Sequence, residues 1–119
     1  MADVTIKRFD DLESYNSEGR FRYAAKSLGV TAWGMNLLVL PAGWADYPDH
    51  DHTKDGQEEV YLVVQGQARL IAGSESFDLT PRMFARVGAG QKRKLVPGPD
   101  GVTVLALGGT PGKPFAPKS

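Results

Sequence analysis

The run Val60-Tyr61-Leu62-Val63-Val64 restricts the fold of this chain more than any other stretch. It is apolar at both parities. A strand on a sheet with one wet face would alternate apolar and polar residues instead. Both faces of this strand must therefore be covered. One face looks into a core. The other needs a second sheet, a terminal segment or another subunit, and the last of these is the sequence's hint of a homodimer.

Around that strand, 14 glycines and 8 prolines fall between short apolar runs, the pattern of an all-β sandwich or barrel. A short helix is expected to start in 10–17, and strands over 21–27, 30–40 and 58–65, with an acidic, loop-like stretch over 44–56 before the last of these. Gly66 is expected to close the third strand, with 67–72 returning. Further strands are expected over 76–79, 83–87, 92–96 and 102–107, with Pro97-Gly98-Pro99-Asp100-Gly101 as a turn between the last two. The tail from Gly108 reads as irregular. No linker or repeat divides the 119 residues, so 1–119 is read as one domain with its core over about 30–107.

Lys+Arg and Asp+Glu both total 14, a balance that argues against nucleic-acid and anionic-membrane partners. There is no cysteine, so disulfides and thiolate metal sites are excluded. No apolar stretch approaches a membrane span, and the polar N-terminus does not read as a signal peptide. A cytoplasmic location is the expectation that remains.

The two histidines are His50 and His52. On a strand, residues two apart share a face, with Cα atoms roughly 6–7 Å apart. From there two imidazoles can lean to one ion with bonds of about 2.1 Å. Glu59 can add a carboxylate from the neighbouring strand. Two histidines and a carboxylate suit Fe, Mn, Zn, Ni or Cu, with coordination positions left for water or substrate. The plainer alternative is a solvated His-Asp-His in a loop that also holds Asp49, Asp51 and Asp55. Tyr61 and Val63 share parity with Glu59 and are expected inside, Tyr61 as a core aromatic with a satisfied hydroxyl rather than a catalytic acid and, with Arg93, as a ligand-binding residue. Trp33, Met35 and Phe84 are expected in the core. Trp44 and Tyr47 are expected near the mouth, as a lid or as packing.

The stretch Gly43-Trp-Ala-Asp-Tyr-Pro-Asp-His50-Asp-His52, followed by Glu58-Glu59-Val-Tyr-Leu-Val-Val-Gln-Gly66, resembles the first motif of the cupin family. That motif is a glycine, a His-x-His pair, a glutamate, then six residues and a glycine. The Glu59 to Gly66 spacing matches. The gap from Gly43 to His50 is one residue longer than usual, and that from His52 to Glu59 two or three longer, an insertion a loop tolerates at small entropic cost. The resemblance implies an antiparallel β-barrel (a double-stranded β-helix, or jelly roll) with His50, His52 and Glu59 as metal ligands. It does not imply one reaction, because cupins include oxygenases, isomerases, epimerases, decarboxylases, sugar-binding domains and storage proteins.

The family's second motif supplies a further histidine ligand. Aligned on Gly90, that position here is Arg93. A guanidinium is not a ligand. At about 4 Å it would repel a divalent ion by roughly 8 kcal/mol at an effective dielectric of 20. One of three arrangements follows. Arg93 points away, an anionic ligand lies between it and the ion, or Arg93 pairs with Glu59 and no metal binds. The strand register decides: Leu95 inward brings Arg93 inward, whereas Val96 inward brings Lys92 and Lys94. An inward Arg93 favours a carboxylate or phosphate ligand.

Three readings follow. One is a small cupin holding a divalent transition metal and acting on or binding a small molecule, anionic if Arg93 lines the pocket. The second is a metal-free ligand-binding barrel with a Glu59–Arg93 salt bridge. The third is a metal-bound structural domain without turnover.

Overall fold

The computed structural model describes residues 2–116; Met1 and 117–119, the ends of the expected domain, lie outside the described residues. The elements in order are a 3-10 turn at Phe9–Asp11, β1 (Phe21–Tyr23), α1 (Ala24–Leu28), β2 (Gly34–Leu40), β3 (Glu58–Ala72), β4 (Glu75–Leu79), β5 (Phe84–Val87) and β6 (Arg93–Gly109). All strand pairs are antiparallel, and β6 lies between β2 and β3. The all-β barrel expectation holds.

Two of the expected turns are absent. The chain does not reverse at Gly66. Residues 58–72 form one strand, and 93–109 form another that pairs with it along nearly its whole length. Register shifts interrupt that ladder between Val63 and Gln65 and between Gly66 and Ala68. At the second shift, Gly98, Pro99, Asp100 and Gly101 bulge out opposite Gln67. Gly66 (φ 78°) and Gly101 (φ 77°) take the left-handed conformation that such a bulge needs. The first half of β3 is flanked by β6 and β5, the second half by β6 and β4. The bulges thus divide one continuous ladder into two half-sheets.

The inward residues of both halves form one core. Tyr61, Val63, Ala68 and Leu70 of β3 pack with Leu95, Val102, Val104 and Ala106 of β6, and with Leu38, Leu40, Tyr47, Leu79 and Val87. Leu95 faces inward, so Arg93 does too; both are buried. This selects one of the two registers open in the sequence.

The expected strand over 21–27 is shorter. After Tyr23 the residues Ala-Ala-Lys-Ser-Leu, good helix formers apart from the serine, make a single helical turn that stops at left-handed Gly29. The expected helix in 10–17 is only the 3-10 turn. This N-terminal segment covers part of the outer face: Leu12 and Ala24 bury Leu37, which points away from the barrel core. The rest of that face is less covered. Leu62 and Leu105 are half-buried, Val64 is exposed, and Phe84 is 75% exposed. Trp33 is also exposed and Met35 half-buried, so of the expected core residues Trp33 and Phe84 lie on the surface and Met35 at the edge of the smaller cluster.

Candidate metal centre

β3 presents Glu59 toward the barrel interior beside Tyr61 and Val63. The histidines sit in the acidic loop between β2 and β3, held by backbone bonds to the first residue of β6 and to the loop before it. His50 and Arg93 exchange both amide–carbonyl hydrogen bonds (3.0 and 2.9 Å), and the His52 amide donates to the Ala89 carbonyl (2.8 Å). The loop is fastened at its other end by the Thr110 hydroxyl, which donates to the Asp55 carbonyl (2.9 Å).

The result is convergence. His50 Nε2 lies 3.7 Å and His52 Nε2 3.2 Å from Glu59 Oε1. One ligand atom from each of the three lies within 4.8 Å of the others. Ligands bonded at about 2.1 Å in octahedral or tetrahedral array sit about 3.0–3.4 Å apart, so the trio needs little movement to hold an ion.

The imidazoles are also oriented for ligation. His50 Nδ1 lies 3.0 Å from the Pro48 carbonyl, which can only accept, so Nδ1 carries the proton. His52 Nδ1 lies 3.1 Å from both oxygens of the Asp55 carboxylate. Both Nε2 atoms are left to face Glu59, the arrangement metal-binding histidines use. The sequence reading placed Asp55 in a solvated acidic loop. Its position three residues after His52, in a tight turn closed by Gly56, was the available signal.

Arg93 lies behind this group. It is 0% exposed, and its Nη2 is 2.5 Å from Glu59 Oε1. Nη1 donates to the carbonyls of Gln91 (2.8 Å) and Gly88 (3.4 Å), while the buried Nε has no hydrogen-bond partner among the described residues. Tyr61 donates to the same Glu59 oxygen (3.0 Å), and its hydroxyl lies 3.2 Å from that of Tyr47. Apart from Arg93 Nε, the polar side-chain atoms of Arg93 and Tyr61 meet Glu59, Tyr47 and the carbonyls of Gln91 and Gly88. Tyr47 and Trp44 pack rather than form a detached lid: Phe21 contacts both rings, and Tyr47 leans on His50 with centroids 5.7 Å apart.

These contacts set the charges. Burial alone would raise the Glu59 pKa, but His50 close beside it and the hydrogen bond from Arg93, with the charges of His52 and Arg93, hold it down at about 2. The Glu59 carboxylate, 3.7 Å from Nε2, raises His50 above its ordinary value, against the opposing effect of burial. Burial, then the Glu59 charge, raises Tyr61 to about 12, and burial beside Tyr61 raises Tyr47 as well. Glu59 is an anion and both tyrosines are neutral at physiological pH.

No protein-family model and no curated protein matches the sequence. Among the described residues no helix is long and apolar enough to cross a membrane. Solved structures do resemble it. A cupin protein from Bacteroides fragilis superposes with a TM-score of 0.70 at 17% identity, covering 99% of this chain and 93% of that one. A sugar phosphate isomerase of the cupin superfamily from Silicibacter pomeroyi gives 0.72 at 22% identity, over 87% and 74%. A Thermus thermophilus protein gives 0.65 at 24% identity, over 88% and 96%. At these identities the likeness is one of architecture, and it agrees with the antiparallel all-β barrel: this chain has the cupin fold.

Proposed function

We propose that His50, His52 and Glu59 bind a divalent transition metal (Fe, Mn, Zn, Ni or Cu) and that the centre takes a small, anionic molecule as ligand or substrate. The observation that carries this reading is the pair of anchored Nδ1 atoms, which leaves two Nε2 donors aimed at one carboxylate. When bound, the metal would supply a Lewis acid. The chain's own residues do the rest. Asp55 and the Pro48 carbonyl orient the imidazoles, Tyr61 and Arg93 fix Glu59, and the neighbouring tyrosines keep the inner side dry. The sugar phosphate isomerase among the structural neighbours supports an anionic substrate.

A metal-free reading is favoured by one contact, the 2.5 Å ion pair between Arg93 and Glu59. In that case Arg93 neutralises Glu59 permanently and the barrel only binds ligands. Metal analysis of the purified protein, followed by titration with Mn2+, Ni2+ and Zn2+, separates the two. The metal reading expects about one ion per chain and its loss in His52→Ala. Equal binding by wild type and His52→Ala would overturn it.

A second copy of the chain is the proposed cover for the outer face around Leu62, Val64, Phe84 and Leu105. The N-terminal arm supports this, since Val4 and Ile6 alternate with polar residues and are both exposed. Light scattering should show a dimer that Phe84→Lys weakens; a monomer at all concentrations would remove the idea.

A further inference from the structure

Arg93 leaves a bound ion with surplus positive charge. The guanidinium cannot swing away, because it is completely buried and pinned by the Gln91 and Gly88 carbonyls. With neutral imidazoles, a divalent ion on the trio shares a single carboxylate, Glu59, with that guanidinium. Asp55 stands outside the ring of donors, its Oδ1 also accepting from the Gln57 amide (3.1 Å). Asp51 is exposed and accepts from the Thr53 amide. Neither replaces the missing negative charge at the ion.

The two sides of the group differ in access. Side-chain exposure is 29% for His50 and 15% each for His52 and Glu59, whereas Arg93 and Tyr61 are closed off. An incoming ligand therefore reaches the ion from the solvent side, opposite Arg93.

We propose that metal and anion bind to this centre as a coupled pair: Arg93 weakens the ion's affinity when it is alone, and a small carboxylate or phosphate that completes the ion's shell restores it. This deepens the metal reading above and rests on it. Arg93 acts here through Glu59 and through space. It is a positioning and charge-setting residue and does not itself touch the anion. Linkage makes the effect reciprocal, so the ion tightens anion binding by the same factor.

The test is the dissociation constant of Mn2+, read from the spin-resonance signal of free Mn2+, with and without millimolar inorganic phosphate. Wild-type protein should bind Mn2+ about tenfold or more tightly with phosphate. Arg93→Met should bind Mn2+ more tightly than wild type without phosphate, and lose most of the phosphate effect. If that variant does not fold, the reciprocal measurement on wild type suffices: phosphate binding with and without Mn2+ should differ by the same factor. Mn2+ binding that ignores phosphate in wild type would overturn the coupling and leave the metal reading standing. A phosphate effect undiminished in Arg93→Met would remove Arg93 from it. Failure to bind Mn2+ in either buffer would overturn both.

Discussion

His50 and Arg93 face each other across an antiparallel bridge, each accepting the other's amide hydrogen. A metal-ligand candidate and the buried cation behind it are thus fixed in register by their own backbones. Side-chain exchange at position 93 should change the chemistry without moving the loop.

Arg93→His is therefore expected to raise metal affinity, by about a hundredfold, since it removes a repelling charge and adds an imidazole. Isothermal titration with Ni2+ measures it. Affinity equal to wild type would show that position 93 does not face the ion.

The ion pair itself should be costly to halve. Glu59→Gln leaves a buried guanidinium unpaired and should destabilise the metal-free protein by about 3–5 kcal/mol. Adding Arg93→Leu should recover much of that loss. Urea denaturation of the two single variants and the double variant gives the coupling, and strict additivity would mean that the pair contributes nothing.

Asp55→Asn should weaken metal binding about 10–100-fold while leaving the fold intact, because it alters the group that orients His52. Unchanged affinity with a native spectrum would show that the Asp55–His52 contact is incidental.

The pH dependence has two limbs. Glu59 titrates at about 2 in the folded protein against an ordinary 4.5, so its contribution is complete above 4.5 and is lost as pH falls through about 2. His50 titrates above its ordinary 6.5, so its contribution is complete below 6.5 and is lost as pH rises through the folded value. The metal-free protein should melt highest between about pH 4.5 and 6.5. Thermal melts across pH check this, and His50→Gln should flatten the alkaline limb and shrink the acid one, since His50 also holds the Glu59 pKa down. Stability that rises above pH 6.5 in wild type would contradict the Glu59–His50 contact.

Gly66→Ala should cost at least about 2 kcal/mol. A Cβ there would overlap the Gly101 carbonyl oxygen, and the backbone is left-handed (φ 78°). A near-neutral effect in denaturation would mean that the bulge relaxes easily.

Much of the site was legible because it depends on short-range rules. His50, His52 and Glu59 follow from type and spacing, and the inward turn of Arg93 follows from parity once Leu95 is placed inside. The loop that carries the histidines was legible, but its anchoring by the His50–Arg93 bridge was not, since that depends on pairing between distant segments. The Gly66 and Pro97–Gly101 signals look like reversals in the sequence but are bulges in the fold. Glycine and proline report a break in regular conformation, and a bulge within a continuing strand breaks it just as a hairpin does. The exposure of Phe84 escaped for a related reason: an edge strand's outward residue is as apolar in sequence as a core one.

The long β3–β6 ladder has a consequence for how this barrel comes apart. Its inner rung joins Ala72 to Arg93 and its outer rungs reach Glu58 and Gly109, so every rung outside the bulge spans the rungs within it. Neither half-sheet owns a complete strand of its own along this ladder. Opening either end frays strands that run on into the other half-sheet, and the slowest amides should therefore exchange together rather than in two separate groups.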